Sequence, residues 1–179
     1  KVGVHGLLDD HPGFTVAAWQ HRPESRGHVH ARSRDPFDKP IIQPNYLSHE
    51  SDRQGVVKAM RLARQLMHTQ AMQPYLDEEM YPGPHVQSDA QLLEAARHYG
   101  STTFHVMGTC RMGSAADPGA VVDDQLRVHG MDALRVIDAS VMPAMISANL
   151  NAATMMIGEK GSDLVLGKAA PEPVVLTDA

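Results

Sequence analysis

The sequence predicts an α+β fold. Three observations carry that reading: β-favouring runs near the start, later stretches with helical spacing, and Gly, Pro and Asp punctuation that leaves the two kinds partly segregated. The 179 residues contain no internal repeat and no low-complexity block. That length favours one domain, or one plus a fragment of another.

The elements follow in chain order. Residues 14–19 (FTVAAW) read as a strand, 23–27 (PESRG) as a turn and 28–32 (HVHAR) as a second strand, so a hairpin is predicted. Asp35-Pro36 and Lys39-Pro40 punctuate the chain, and IIQPNYL offers a short extended piece. From about residue 50 to 68 the period changes: Val56, Met60, Ala63 and Met67 recur on one helical face. Ala59, Leu62 and Leu66 widen that stripe, and Ser48 or Ser51 can cap it. Ser88 followed by Gln91 predicts a capping box for a helix over 89–99. Residues 102–113 (TTFHVMGTCRMG) read as strand into loop, and 117–140 as short strands and turns, with 134–137 the best strand. A last helix spans about 151–166, and the tail PEPVVLTDA reads as poorly ordered.

Composition narrows the function. Hydrophobic residues make up 42% and aromatics only 4%, with eleven Met sharing the packing. The net charge is −5, the pI is about 6.1, and basic residues do not cluster, so no nucleic-acid partner is expected. One Cys excludes an internal disulfide framework and a multi-Cys zinc site. No apolar run approaches the roughly 20 residues that cross a bilayer. The chain opens at Lys1 as though mid-sentence, which predicts a piece of a longer polypeptide.

Several residues could carry chemistry. His105 could accept and return a proton, or simply be a satisfied His at a strand end. Asn149 and Asn151 precede a helical run. They read as caps, or as hydrogen-bonding amides beside a helix N-terminus that suits an anionic ligand group. Asp138 closes LRVID, where it is either a turn-forming carboxylate or a ligand contact. Cys110 reads as a small filler rather than a nucleophile. His28 and His30 share a strand face but lack a third metal ligand, so no metal is expected. Arg111 reads as a cover for a carboxylate.

Four segments together resemble the C-terminal part of the glucose–methanol–choline family of flavin oxidoreductases. They are PESRGHVHARSRDPFDKPIIQPNYL (23–47), HVMGTCRMG (105–113), DPGAVVDDQLRVHGMDALRVIDASVMP (117–143) and SANLNAATMMIGEKGSD (147–163). They keep the family's order and spacing over roughly residues 13–168, nearest to its choline-dehydrogenase-like branch of alcohol dehydrogenases. The resemblance implies a substrate-binding domain of sheet and flanking helices over 1–133, the returning strand and helix of the FAD-binding domain over 134–168, and a tail over 169–179. It implies FAD as cofactor and oxidation of an alcohol to an aldehyde or ketone, by hydride transfer to the flavin. The family's active-site base falls on His105 and its second active-site position on Asn149. Asp138 and Ala139 fall beside the flavin's ribityl–pyrophosphate chain, and Asn151 and Ala152 at the helix start facing its pyrimidine side.

The implied partners are an alcohol substrate, an electron acceptor (quinone, dye or oxygen) and an N-terminal FAD-binding segment. The default location is the cytoplasm, with the membrane periphery the alternative where a quinone is the acceptor. Some positions depart from the family pattern. Val106 and Met107 follow the His in place of Pro and its neighbour, Leu150 replaces the Pro of N-P-N, and Ala153 stands at a later Pro. No G-x-G-x-x-G loop is present, so this chain by itself is not expected to hold FAD tightly. The alternatives from other classes are an isolated fragment that only binds a ligand or partner without FAD, and a metal-dependent hydrolase lacking visible ligands.

Overall fold

The structure is a computed structural model and describes residues 12–172 and Val174. The chain divides into two compact units, one ending at Phe104 and the other beginning at His105. Helices and a small sheet occur together, as an α+β fold requires.

The first unit holds β1 (His28–His30), β2 (Ile41–Gln43), α1 (Glu50–Met67) and α2 (Asp89–Tyr99). β1 and β2 pair antiparallel, with His28 opposite Gln43 and His30 opposite Ile41. The predicted hairpin with residues 14–19 does not form, and those residues carry no strand. The partner is decided by the intervening loop. Ser33 Oγ donates to Asp38 Oδ2 (2.6 Å), Phe37 N–H donates to Asp35 Oδ1 (3.0 Å), and Arg32 Nε reaches Lys39 O (3.2 Å). These bonds close the 31–40 loop and bring 41–43 back onto β1.

α1 follows the predicted period, with Val56, Met60, Ala63 and Met67 half-buried. Leu62 and Leu66 were expected to widen the stripe but are exposed, so the buried face is narrower. Its cap is neither Ser48 nor Ser51. His49 takes the extended cap conformation, and its Nδ1 accepts from the Ser51 N–H (3.3 Å). Ser88 and Gln91 form the predicted box on α2. α1 packs on α2 around Val57, Ala95 and the fully buried Leu92. Arg64 fastens α1 to the following loop by a paired bond to Glu79 (2.9 and 2.7 Å) and by one to Val86 O (2.6 Å).

Asp52 is a buried carboxylate, only 2% exposed. It accepts from Glu24 N–H (3.0 Å), Ser25 N–H (2.8 Å) and Ser25 Oγ (2.6 Å), tying the PES turn to α1. Burial alone raises its pKa, but these hydrogen bonds outweigh burial and hold the carboxyl below its usual range. A lowered native pKa stabilises the fold above the unfolded-state value of about 3.9, and the benefit is lost as pH falls through the native value. Asp52→Asn is therefore expected to lower stability by about 1–3 kcal/mol at neutral pH. It should also flatten the acid side of a melting-temperature profile. An unaltered acid limb in the variant is the contrary result.

The second unit contains α3 (Asn151–Leu166) and few ladders. Its expected short strands reduce to isolated bridges, Met112 with Val122, Val122 with Val128, and Arg127 with Arg135. The predicted strand at 134–137 is only the Arg135 bridge. Turns intervene too often for pairing to extend. Asp123 Oδ1 accepts from the N–H groups of Gln125 and Arg127 (both 2.8 Å), and Leu126 and Ala133 sit at φ 62° and 56°. These segments wrap a core of Val122, Leu126, Val141, Met142, Leu150 and Ile157. No helix among the described residues is long and apolar enough to cross a membrane.

Candidate functional site

The chain leaving His105 turns at Gly108 (φ 82°) and then runs beside residues 139–141. Gly108 N–H donates to Ala139 O (3.4 Å), Cys110 N–H to Ser140 O (2.9 Å) and Met112 N–H to Val141 O (2.8 Å). The strand expected in this run does not form; it is loop and turn, and only Met112 reaches a bridge. Ala139–Val141 form a single 3₁₀ turn, which we label η. Its extended cap residue is Asp138, whose Oδ1 accepts from Ser140 N–H (2.7 Å). Asp138 is thus the turn former of the first reading, with an exposed carboxylate facing outward.

The other end of the η turn is buried. Val141 and Met142 share the core with Leu150 and Ile157, so the turn and the start of α3 rest on one hydrophobic cluster. α3 begins at Asn151 after Leu150, and no side chain caps it. Neither Asn149 nor Asn151 is therefore a cap, which removes the capping explanation for both. Asn149 is exposed, and the Asn151 Nδ2 rests 3.8 Å from Met155 Sδ. The uncapped first turn leaves the amides of Asn151 and Ala152 beside two small, exposed positions, Ala148 and Ala152. His105 is exposed as well.

Other candidates resolve differently. Arg111 covers the half-buried Asp117 through a 2.8 Å bond, as read from the sequence. The Gly119 N–H (2.9 Å) and then Arg111 hold that carboxyl below its usual range. Cys110 is a half-buried free thiol whose backbone serves the ladder. His28 and His30 lie side by side with ring centroids 4.9 Å apart. No group of three or more metal-capable side chains occurs among the described residues. A wide cleft lined by Met112, Ser114, Asp123, Asp124 and His129 contains none of the predicted site residues.

Comparison with known proteins gives this arrangement a family. Residues 23–158 match the family model for the C-terminal part of GMC oxidoreductases, more than half of the chain. The chain belongs to the GMC oxidoreductase family. It is 49% identical over 158 residues to an oxygen-dependent choline dehydrogenase of Escherichia coli O17:K52:H18 (strain UMN026 / ExPEC). That match covers 88% of this chain and 28% of the relative, so the chain spans under a third of the curated relatives it matches. Among solved structures it resembles pyridoxine 4-oxidase from Mesorbium loti, with TM-score 0.70 and 32% identity, covering 84% of this chain and 29% of that one. It also resembles a formate oxidase of Aspergillus oryzae RIB40 studied for modification of its FAD. There the TM-score is 0.68 with 29% identity, covering 79% of this chain and 25% of the other.

The residues present suit a flavin. An uncapped helix start favours an electron-rich ring edge. An exposed Asp138 carboxylate can accept from hydroxyl groups of a sugar-like chain.

Proposed function

We propose that this chain supplies the proton-handling side of an FAD-dependent oxidation, in which an alcohol CH–OH becomes an aldehyde or ketone. One observation carries the reading: within one unit, the segment from His105 is laddered to Asp138–Val141, and that turn shares its core with the uncapped start of α3. In a longer flavoprotein, residues 1–133 serve the substrate domain, and 134–168 return the Arg135 bridge segment and α3 to the FAD-binding part. Residues 169–179 form the tail.

The flavin, when bound, supplies the hydride acceptor. The protein residues do the rest. An alcohol is a poor acid, so a ring nitrogen of His105 takes the hydroxyl proton as the C–H bond is broken. The Asn149 amide N–H holds the substrate oxygen without titrating. The backbone N–H groups of Asn151 and Ala152 would offset negative charge at the edge of a bound flavin. Asp138 and Ala139 would hold its ribityl–pyrophosphate chain. The likeness to choline dehydrogenases favours a small cationic alcohol as substrate, and the oxygen-dependent relative favours oxygen as acceptor. Quinones and dyes are alternative acceptors.

The test uses the complete protein that contains this chain. Its visible spectrum is expected to show bound flavin, and anaerobic choline or another primary alcohol is expected to bleach that band. A flavin band unmoved by any alcohol in a broad panel overturns the proposal.

A further inference from the structure

We propose that Leu150 is a positioning residue for Asn149 and for the N–H groups of Asn151 and Ala152. Its buried side chain, rather than a polar cap, fixes where α3 begins. This rests on the roles given to those three residues above. A helix start is ordinarily fixed by an Asn, Asp, Ser or Thr in extended backbone, whose side chain accepts a first-turn N–H. The cap residue here is Leu150, with helical backbone (φ −70°, ψ −17°) and no side-chain acceptor. Its side chain is instead buried, 5% exposed, among Val122, Leu126, Val141, Met142 and Ile157. Burying a whole Leu side chain is worth at least as much as a typical cap bond.

Three further features pin the same point. Leu150 O accepts from both the N–H (2.8 Å) and the Oγ1 (2.9 Å) of Thr154, which closes the first turn upon it. Leu150 also opens the inward stripe of α3. Ala153 and Leu164 pack against the cluster, and Ile157 and Gly161 are buried, so positions 150, 153, 157, 161 and 164 follow helical spacing. Asn149 and Asn151 flank the buried Leu and are both exposed. A slip of one residue in either direction would carry an Asn amide into the apolar cluster, which is costly without a hydrogen-bond partner there. The register is therefore set twice over: Leu150 is held in, and the two Asn are held out. All of these contacts lie within the second unit. Truncating Leu150 leaves α3 anchored from Ala153 onward, and its first turn frays. Asn149 and the first N–H groups of α3 then lose their fixed place. A reacting or binding group misplaced by about 1 Å can lose about a hundredfold in rate.

The experiment uses the complete flavoprotein and compares two truncations in one cluster. Leu150→Ala removes the anchor at the helix start. Ile157→Ala opens a cavity of the same kind about two turns further along α3. In Leu150→Ala, kcat/KM for the alcohol is expected to fall about 10–100-fold, while Ile157→Ala stays within about threefold of the parent. Leu150→Met conserves volume and should stay near the parent. The midpoint potential of the bound flavin should move to more negative values in Leu150→Ala and not in Ile157→Ala, because the first N–H groups of α3 no longer offset negative charge at its edge. Amide hydrogen exchange supplies a readout independent of turnover: the Thr154 N–H should exchange faster in Leu150→Ala and at the parent rate in Leu150→Met. Equal losses of turnover in Leu150→Ala and Ile157→Ala overturn the positioning role. So does parent-like turnover in Leu150→Ala when Asn149→Ala is impaired in the same assay. Unchanged Thr154 exchange in Leu150→Ala overturns the anchor itself. Should Asn149→Ala be fully active, the role given to Asn149 fails, and its positioning by Leu150 falls with it. Where either alanine variant does not fold, Leu150→Val and Ile157→Val carry the same comparison.

Discussion

Replacing His105 by alanine in the complete flavoprotein is expected to lower alcohol turnover by about two to four orders of magnitude. The size follows from what is removed. No other titratable group lies on the segment between His105 and Gly108, and Asn149 can hold an oxygen but cannot take its proton. His105 is exposed and lies outside the hydrophobic cluster of its unit, so its truncation opens no cavity. The melting temperature and the flavin spectrum should therefore stay at the parent values while turnover collapses. Rapid mixing with alcohol under anaerobic conditions reads the flavin-bleaching step directly. A rate within about threefold of the parent sinks the assignment, since general-base contributions begin near a hundredfold.

The second large effect concerns stability. Gly161→Val is expected to destabilise the second unit by about 3 kcal/mol. On an exposed helix face, replacing Gly gains stability, about 1 kcal/mol for Ala. Gly161 is instead buried on α3. A Cβ there collides with Ile137 Cγ2 and lies 3.0 Å from its Cδ1 and 3.2 Å from its Cγ1. Cγ2 sits on the stiff, branched part of the Ile side chain, so it cannot swing aside. The overlap therefore outweighs the propensity gain, and α3 is pushed from the chain just before Asp138. Urea unfolding of Gly161→Val, alone and with Ile137→Ala, measures this. Recovery of most of the loss in the double variant is the expected coupling. Equal losses with and without Ile137→Ala would show that the contact is not the cause.

The helices were legible because their signals are local. The apolar spacing of Val56, Met60, Ala63 and Met67, and the Ser88–Gln91 box, act within a turn or two. α3 was legible for the same reason, and the observed Asn151–Leu166 agrees with the predicted bounds. The strands were not legible to the same degree. Residues 14–19 have the right residue types, yet β1 takes Ile41–Gln43, because a ladder needs a partner and the 31–40 loop supplies it. In the second unit, Val- and Leu-rich runs suggested strands. The Asp123 carboxylate and the left-handed Leu126 and Ala133 break them into bridges.

Motif order and local spacing made the family and the helices of this chain readable without a fold, and named the residues proposed for the site. His105, Asp138, Ala139, Asn149, Asn151 and Ala152 were read from motifs whose order survives any rearrangement of loops. Only the tertiary structure decided how those motifs are held. It set the His105 segment against the 139–141 turn and left the α3 start without a side-chain cap. The reason is physical. Periodicity and capping involve neighbours a few residues apart, whereas a buried carboxylate or a strand partner is chosen by groups that meet only after the chain has folded.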